Sequence, residues 1–117
     1  MHLNAGCRAI GGKIHQATLG NLPELLRRGK PVVVDFWAGW CVPCHTMAPI
    51  MKSLAKEFEE QVIFAKVDVP NNRDLAEQFK IRRIPTVILF RNGKEWDRFS
   101  GLKNRSDIRD MLQKISG

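Results

Sequence analysis

The sequence predicts an α/β domain: a central mixed sheet of about five strands flanked by four helices. Two observations carry that expectation. Short apolar runs alternate with segments whose apolar residues recur at helical spacing, in the order βαβαβαββα. Alternation of this kind implies parallel strands with helices on both faces of the sheet. Between the last two strand-like runs stands Asn92-Gly93, the strongest short hairpin signal, which adds an antiparallel edge.

Lys13 to Ala17 forms a short first strand. Asn21, followed by Pro23 and Glu24, marks a helix start with a capping residue and an early acid. Leu22, Leu25 and Leu26 give that helix its apolar face, and Gly29 ends it. Pro31 to Trp37 is a nearly continuous apolar run, the pattern of a strand buried on both faces. The next helix starts at Cys41 and carries Met47, Ile50, Met51, Leu54 and Phe58 on one face, with Pro49 expected to kink it. Val62 to Val69 is a strand, and Asn72 caps a short helix through Ala76 to Phe79. Pro85 to Phe90 and Lys94 to Ser100 are the hairpin strands. Ile108, Met111, Leu112 and Ile115 define the inner face of a last helix from about Arg105 to Ile115.

Residues 1–12 are small, polar and glycine-bearing, and are read as a flexible segment; 13–117 is read as one domain. A chain of 117 residues can bury a sufficient core without staples. No apolar run reaches the length that spans a membrane, and the N-terminus lacks a secretory apolar region, so the expected compartment is the cytoplasm. The formal net charge is +7, but the basic residues are scattered as Arg27-Arg28, Arg82-Arg83, Arg105 and Arg109. Nucleic-acid binding wants a clustered basic face with interleaved aromatics. We therefore expect neither a nucleic-acid nor a membrane partner.

The chemistry is concentrated in Trp40-Cys41-Val42-Pro43-Cys44. Two thiols stand at the junction of an apolar strand and a helix. A helix start favours negative charge, because its first amides are unpaired and the peptide dipoles are aligned. A thiol placed there loses its proton more easily, and the thiolate is the nucleophile of disulfide exchange. A second thiol one turn on can attack the resulting mixed disulfide. Asp35 adds a second signal. An acid in a buried apolar strand resists ionisation, which suits it to proton transfer near neutral pH. With three cysteines in the chain, a zinc site built from two such pairs is not available.

These residues, in this order, resemble the thioredoxin family over roughly Lys13 to Ser116. The run Val34-Asp35-Phe36-Trp37-Ala38 leading into Trp40-Cys41 matches, as do Pro49, Lys66, Ile84-Pro85-Thr86, Asn92-Gly93 and Gly101. The resemblance implies a thioredoxin fold and a thiol–disulfide oxidoreductase that reduces protein disulfides, with Cys41 attacking and Cys44 resolving. It implies that Asp35, with Lys66 nearby, assists deprotonation of Cys44, and that Pro85 is cis beside the sulfurs. Trp40, Val42, Pro43, Val69, Ile84, Pro85 and Gly101 would form an apolar docking surface, with the Ile84 backbone pairing to an extended substrate. No bound cofactor or metal is implied beyond the redox-active Cys41–Cys44 disulfide. The implied partners are disulfide-containing proteins, such as peroxiredoxins, methionine sulfoxide reductases and ribonucleotide reductase, and an NADPH-linked thioredoxin reductase. A monomer is the simplest expectation.

The chain departs from the family pattern in four places. Val42 replaces the usual glycine and stiffens the loop beside the attacking sulfur. His45 follows Cys44 where lysine or arginine is usual; it is either an exposed helix histidine or, when charged, a neighbour that favours a thiolate. Arg83 stands where small residues are common, either solvated or selecting acidic partners. Cys7 is a spare thiol, and with His2 it supplies too few ligands for zinc. Two alternatives stay open: an oxidant or isomerase variant, and a binding or chaperone module in which redox turnover is incidental.

Overall fold

The computed structural model describes residues 12–117; the expected flexible segment, with His2 and Cys7, lies outside them apart from Gly12. Five strands are observed: β1 (Ile14–Gln16), β2 (Val32–Trp37), β3 (Ile63–Asp68), β4 (Thr86–Arg91) and β5 (Lys94–Ser100). The helices are α1 (Leu22–Leu26), α2 (Val42–Glu57), α3 (Arg73–Gln78) and α4 (Arg105–Ser116), with a 3-10 turn at Val69–Asn71. Strand order across the sheet is β1-β3-β2-β4-β5.

Strands β1, β2 and β3 are parallel, as alternation requires. Strand β4 does not follow that rule and runs antiparallel to β2. The connection from β3 to β4 returns the chain to the end of the sheet that it left. The chain leaves β3 at Asp68, opposite Trp37, and enters β4 at Thr86, opposite Phe36, at the same end of the sheet. The hairpin then returns through Asn92 and Gly93, with φ of 54° and 79°, which fits the two-residue turn whose twist matches the strands.

The core lies on both faces of β2. Val32, Val34 and Phe36 pack with Leu22 and Leu25 of α1 and Leu75 of α3. Val33 faces the other way, toward Met47, Met51 and Leu54 of α2 and Ile108 and Leu112 of α4. Side chains alternate faces along a strand, so Asp35 is directed to the α2 side. Helix α2 continues through Pro49 as one element.

The caps differ from the sequence reading. Asn21 and Asn72 occupy N-cap positions without capping their helices. The Asn21 carboxamide instead accepts from the Thr18 amide and donates to the Gln16 carbonyl, tying the β1–α1 loop together. Asn72 donates to the Asp68 carbonyl. The asparagine that does cap a helix is Asn104, which accepts from the Asp107 amide at the start of α4. Strand β3 ends at Asp68 rather than Val69, because Pro70 has no amide to offer a ladder.

Leu54 is fully buried between α2 and the sheet. Leu54→Ala should therefore lower unfolding stability by about 2–5 kcal/mol in urea titration. A loss under about 1 kcal/mol would show that this interface is not the packed core described.

Candidate active site

The site is built where β2 runs into α2. Cys41 is the N-cap residue of α2, in extended conformation, with Val42 and Pro43 opening the first turn. Proline suits that position, since its missing amide would lack an intrahelical partner anyway and its φ is already helical. Cys41 and Cys44 are joined in a disulfide, with their Cα atoms 5.3 Å apart. The Cys41 sulfur also accepts a hydrogen bond from the Cys44 amide at 3.2 Å. An N-terminal amide of the helix is thus aimed at the sulfur that the sequence reading made the nucleophile.

Both cysteines are 4% exposed, packed with Ala38, Trp37 and Ile84. Their neighbours are not buried: Trp40 is 73% exposed and Val42 74%. Two large apolar side chains thus stand in solvent on either side of Cys41. Trp40 and Val69 share a cavity of about 330 Å³ with Ile81, Arg73 and Arg82.

The loop before β4 borders the same end of the sheet. The Ile84–Pro85 peptide bond is cis. Pro85 is buried and its carbonyl accepts from the Gly101 amide at 2.8 Å, which holds the start of the β5–α4 loop against it. Gly101 has φ of +84°, a conformation that disfavours any side chain. Among the described residues, no backbone hydrogen bond uses the amide or carbonyl of Ile84.

Asp35 lies in register with Val87 of β4 on one side and Lys66 of β3 on the other. Its Oδ1 is buried without a hydrogen-bond partner, and burial pushes its carboxyl up to about 6, against a smaller opposing pull from the Lys66 charge. No salt bridge joins Lys66 to Asp35 among the described residues; the Lys66 ammonium sits 5.0 Å from the Trp37 ring centroid. A cavity of about 370 Å³ borders Asp35, lined by Gln16, Ala48, Met51, Lys52 and Lys66.

His45 is exposed. Its Nε2–H donates to the Gly39 carbonyl at 2.6 Å, and its ring meets Trp37 edge-on at 6.4 Å. It therefore braces the turn before Cys41.

The sequence carries the thioredoxin family profile over residues 13–114. A thioredoxin of Chlorobaculum thiosulfatiphilum is 42% identical over 91% of this chain and 99% of its own length. One from Rickettsia bellii is 39% identical over 76% of this chain and 85% of its own. The chain belongs to the thioredoxin family.

A bifunctional thioredoxin reductase/thioredoxin of Mycobacterium leprae is 38% identical over 80% of this chain, which spans 21% of that longer protein. Among solved structures, a mutant thioredoxin from Halobacterium salinarum superposes with a TM-score of 0.83 at 27% identity, over 89% of this chain and 90% of that one. A thioredoxin of Malassezia sympodialis gives 0.83 at 28% identity, over 92% and 93%. The thioredoxin fold and the family together make this chain a thiol–disulfide oxidoreductase, a protein-disulfide reductase whose redox-active disulfide is Cys41–Cys44. Among the described residues no helix is long and apolar enough to cross a membrane, and no cluster of His, Cys, Asp and Glu could hold a metal ion.

Sequence reading missed Arg73, Ile81 and Arg82 as neighbours of Trp40. They reach it only through the fold of α3 and the loop after it, and no local pattern marks them.

The raised carboxyl of Asp35 has a stability consequence with a definite sign. Folding favours its protonated form, so stability falls as pH rises from about 4 through about 6, by on the order of 3 kcal/mol. Asp35→Asn should therefore be more stable than the parent by up to about that amount in urea unfolding at pH 8, with the gain vanishing near pH 4. A gain of equal size at both pH values would show that the ionised carboxyl is not its source.

Proposed function

We propose that this thioredoxin reduces protein disulfides with Cys41 as the attacking thiolate and Cys44 as the resolving thiol. The observation that carries this assignment is the Cys44 amide donated to the Cys41 sulfur at the N-terminus of α2, between the exposed side chains of Trp40 and Val42. In the reduced protein, the Cys41 thiolate attacks one sulfur of a substrate disulfide. That forms a mixed disulfide and expels the other substrate sulfur as a thiolate. Cys44, deprotonated, then attacks Cys41. The Cys41–Cys44 disulfide forms and the second substrate thiol leaves, so two electrons pass to the substrate.

Asp35 is the base for the Cys44 proton. Its unpaired Oδ1 and its raised carboxyl support that role, since a base titrating near 6 is ionised at neutral pH yet close enough to exchange protons. The cavity beside it gives water a route to the carboxyl. Lys66 tempers the raised carboxyl through its charge. Substrate docks in extended form on Trp40, Val42, Pro43, Val69, Ile84, Pro85 and Gly101. The free amide and carbonyl of Ile84 support docking by strand addition. An NADPH-linked thioredoxin reductase is the proposed electron donor, in keeping with the family and with the fused relative. The proposed working form is a cytoplasmic monomer whose domain begins at about residue 13.

The direct test is NADPH-coupled insulin reduction with a bacterial thioredoxin reductase. Wild type should turn over, Cys41→Ser should fall to background, and Cys44→Ser should accumulate a mixed disulfide through Cys41. Turnover surviving in Cys41→Ser would overturn the assignment. Asp35→Asn should slow release from the mixed disulfide by about tenfold or more at pH 7 and remove the pH dependence near 6. An unchanged release rate would remove Asp35 from the proton path.

A further inference from the structure

We infer that Arg73, Arg82 and Arg83 make the docking groove select disulfides flanked by acidic residues. The inference rests on the docking surface proposed above and adds the chemistry of what it prefers.

Among the described residues, Arg28 and Arg98 each pair with a glutamate, Arg105 and Arg109 share Glu57, and Arg27 and Arg91 are exposed and unpaired away from the groove. Those pairs join α1 to the residues just after it, lie on β5, and link α2 to α4. Arg73, Arg82 and Arg83 are exposed and form no salt bridge among the described residues. Arg82 and Arg83 directly precede Ile84–Pro85 in the chain. The Arg83 guanidinium lies 3.8 Å from where a Cβ on Gly101 would stand, so it overhangs the glycine bonded to Pro85. Arg82 and Arg73 line the cavity beside Trp40.

The carboxylates nearby, Glu77, Asp68 and Asp74, form no salt bridge with these arginines among the described residues, so the guanidinium forks stay open to a ligand. Glu77 lines the Trp40 cavity and offsets one charge. Asp68 accepts from the Asn71 carboxamide at 2.7 Å, and Asp74 accepts from the Leu75 amide at 2.8 Å. A guanidinium is always charged and presents a planar fork that fits a carboxylate with two parallel hydrogen bonds. An extended segment laid along Ile84 would carry the side chains flanking its cysteine past Arg82 and Arg83. Acidic residues there would gain faster encounter and paired contacts at the rim, whereas lysines would be repelled.

The test uses three synthetic peptides, each holding one disulfide and differing only in the flanking residues: Asp/Glu, Ser or Lys. The rate constant for reduction by the pre-reduced full chain is divided by that for dithiothreitol, which removes intrinsic differences between the disulfides. At low salt the acidic peptide should be favoured over the lysine peptide by about tenfold, and by less than about twofold at high salt. Arg82→Glu/Arg83→Glu should bring the ratio below one. Arg27→Glu/Arg91→Glu changes net charge equally at positions away from the groove and should keep most of the preference. A wild-type ratio of one, or equal loss in both double variants, would overturn the inference. Failure of wild type to reduce even the serine peptide would instead overturn the docking surface on which it rests.

Discussion

Much of this molecule is arranged around one short contact, the hydrogen bond from the Cys44 amide to the Cys41 sulfur at the first turn of α2. A helix start offers amides with no intrahelical partner, and here one of them is given to a sulfur. The contact needs Cys41 held at the N-cap in extended conformation, which Val42 and Pro43 secure by opening the helix directly after it. It needs α2 fixed against the sheet, which Met47, Met51 and Leu54 provide from one face. It also needs the end of β2 to stop at the right place, and β2 is held between β3 and β4 from Val32 to Phe36, with Trp37 paired to β3.

Asp35 depends on the same arrangement. The alternation along β2 that buries Val33 against α2 also directs the carboxyl of Asp35 to that side. The strand places an ionisable group where an apolar one would pack better, and its buried Oδ1 has no hydrogen-bond partner within the protein. A structural polar residue would be expected to find a partner. Burial without one is the condition that lifts a carboxyl toward neutrality.

The elements were legible in the sequence because their signals are local. The apolar run before Trp37, the helical spacing from Met47 to Phe58 and the Asn92-Gly93 turn each fix a piece of chain without reference to any other. The pair Cys41 and Cys44 was legible for the same reason, since both the thiols and the helix start lie within a few residues. Properties that depend on distant partners were not. The antiparallel entry of β4 depends on where the connection through α3 brings the chain back. Asn21 bonds the loop behind it instead of the helix ahead, a choice decided by the position of Thr18 and Gln16. Lys66 stands beside Asp35 in register but turns its ammonium over Trp37, a contact no spacing encodes. Arg73 and Arg82 join Trp40 only once α3 has folded back.

The central claim is that the start of α2 makes Cys41, and not Cys44, the reactive thiol. Competitive alkylation tests it most directly. The reduced protein is treated with limiting iodoacetamide near pH 7 and the adduct is located by peptide mass mapping. The account predicts modification of Cys41 at least about tenfold faster than Cys44, because a thiolate favoured by the helix start is the species that reacts. Equal rates, or faster modification of Cys44, would contradict it.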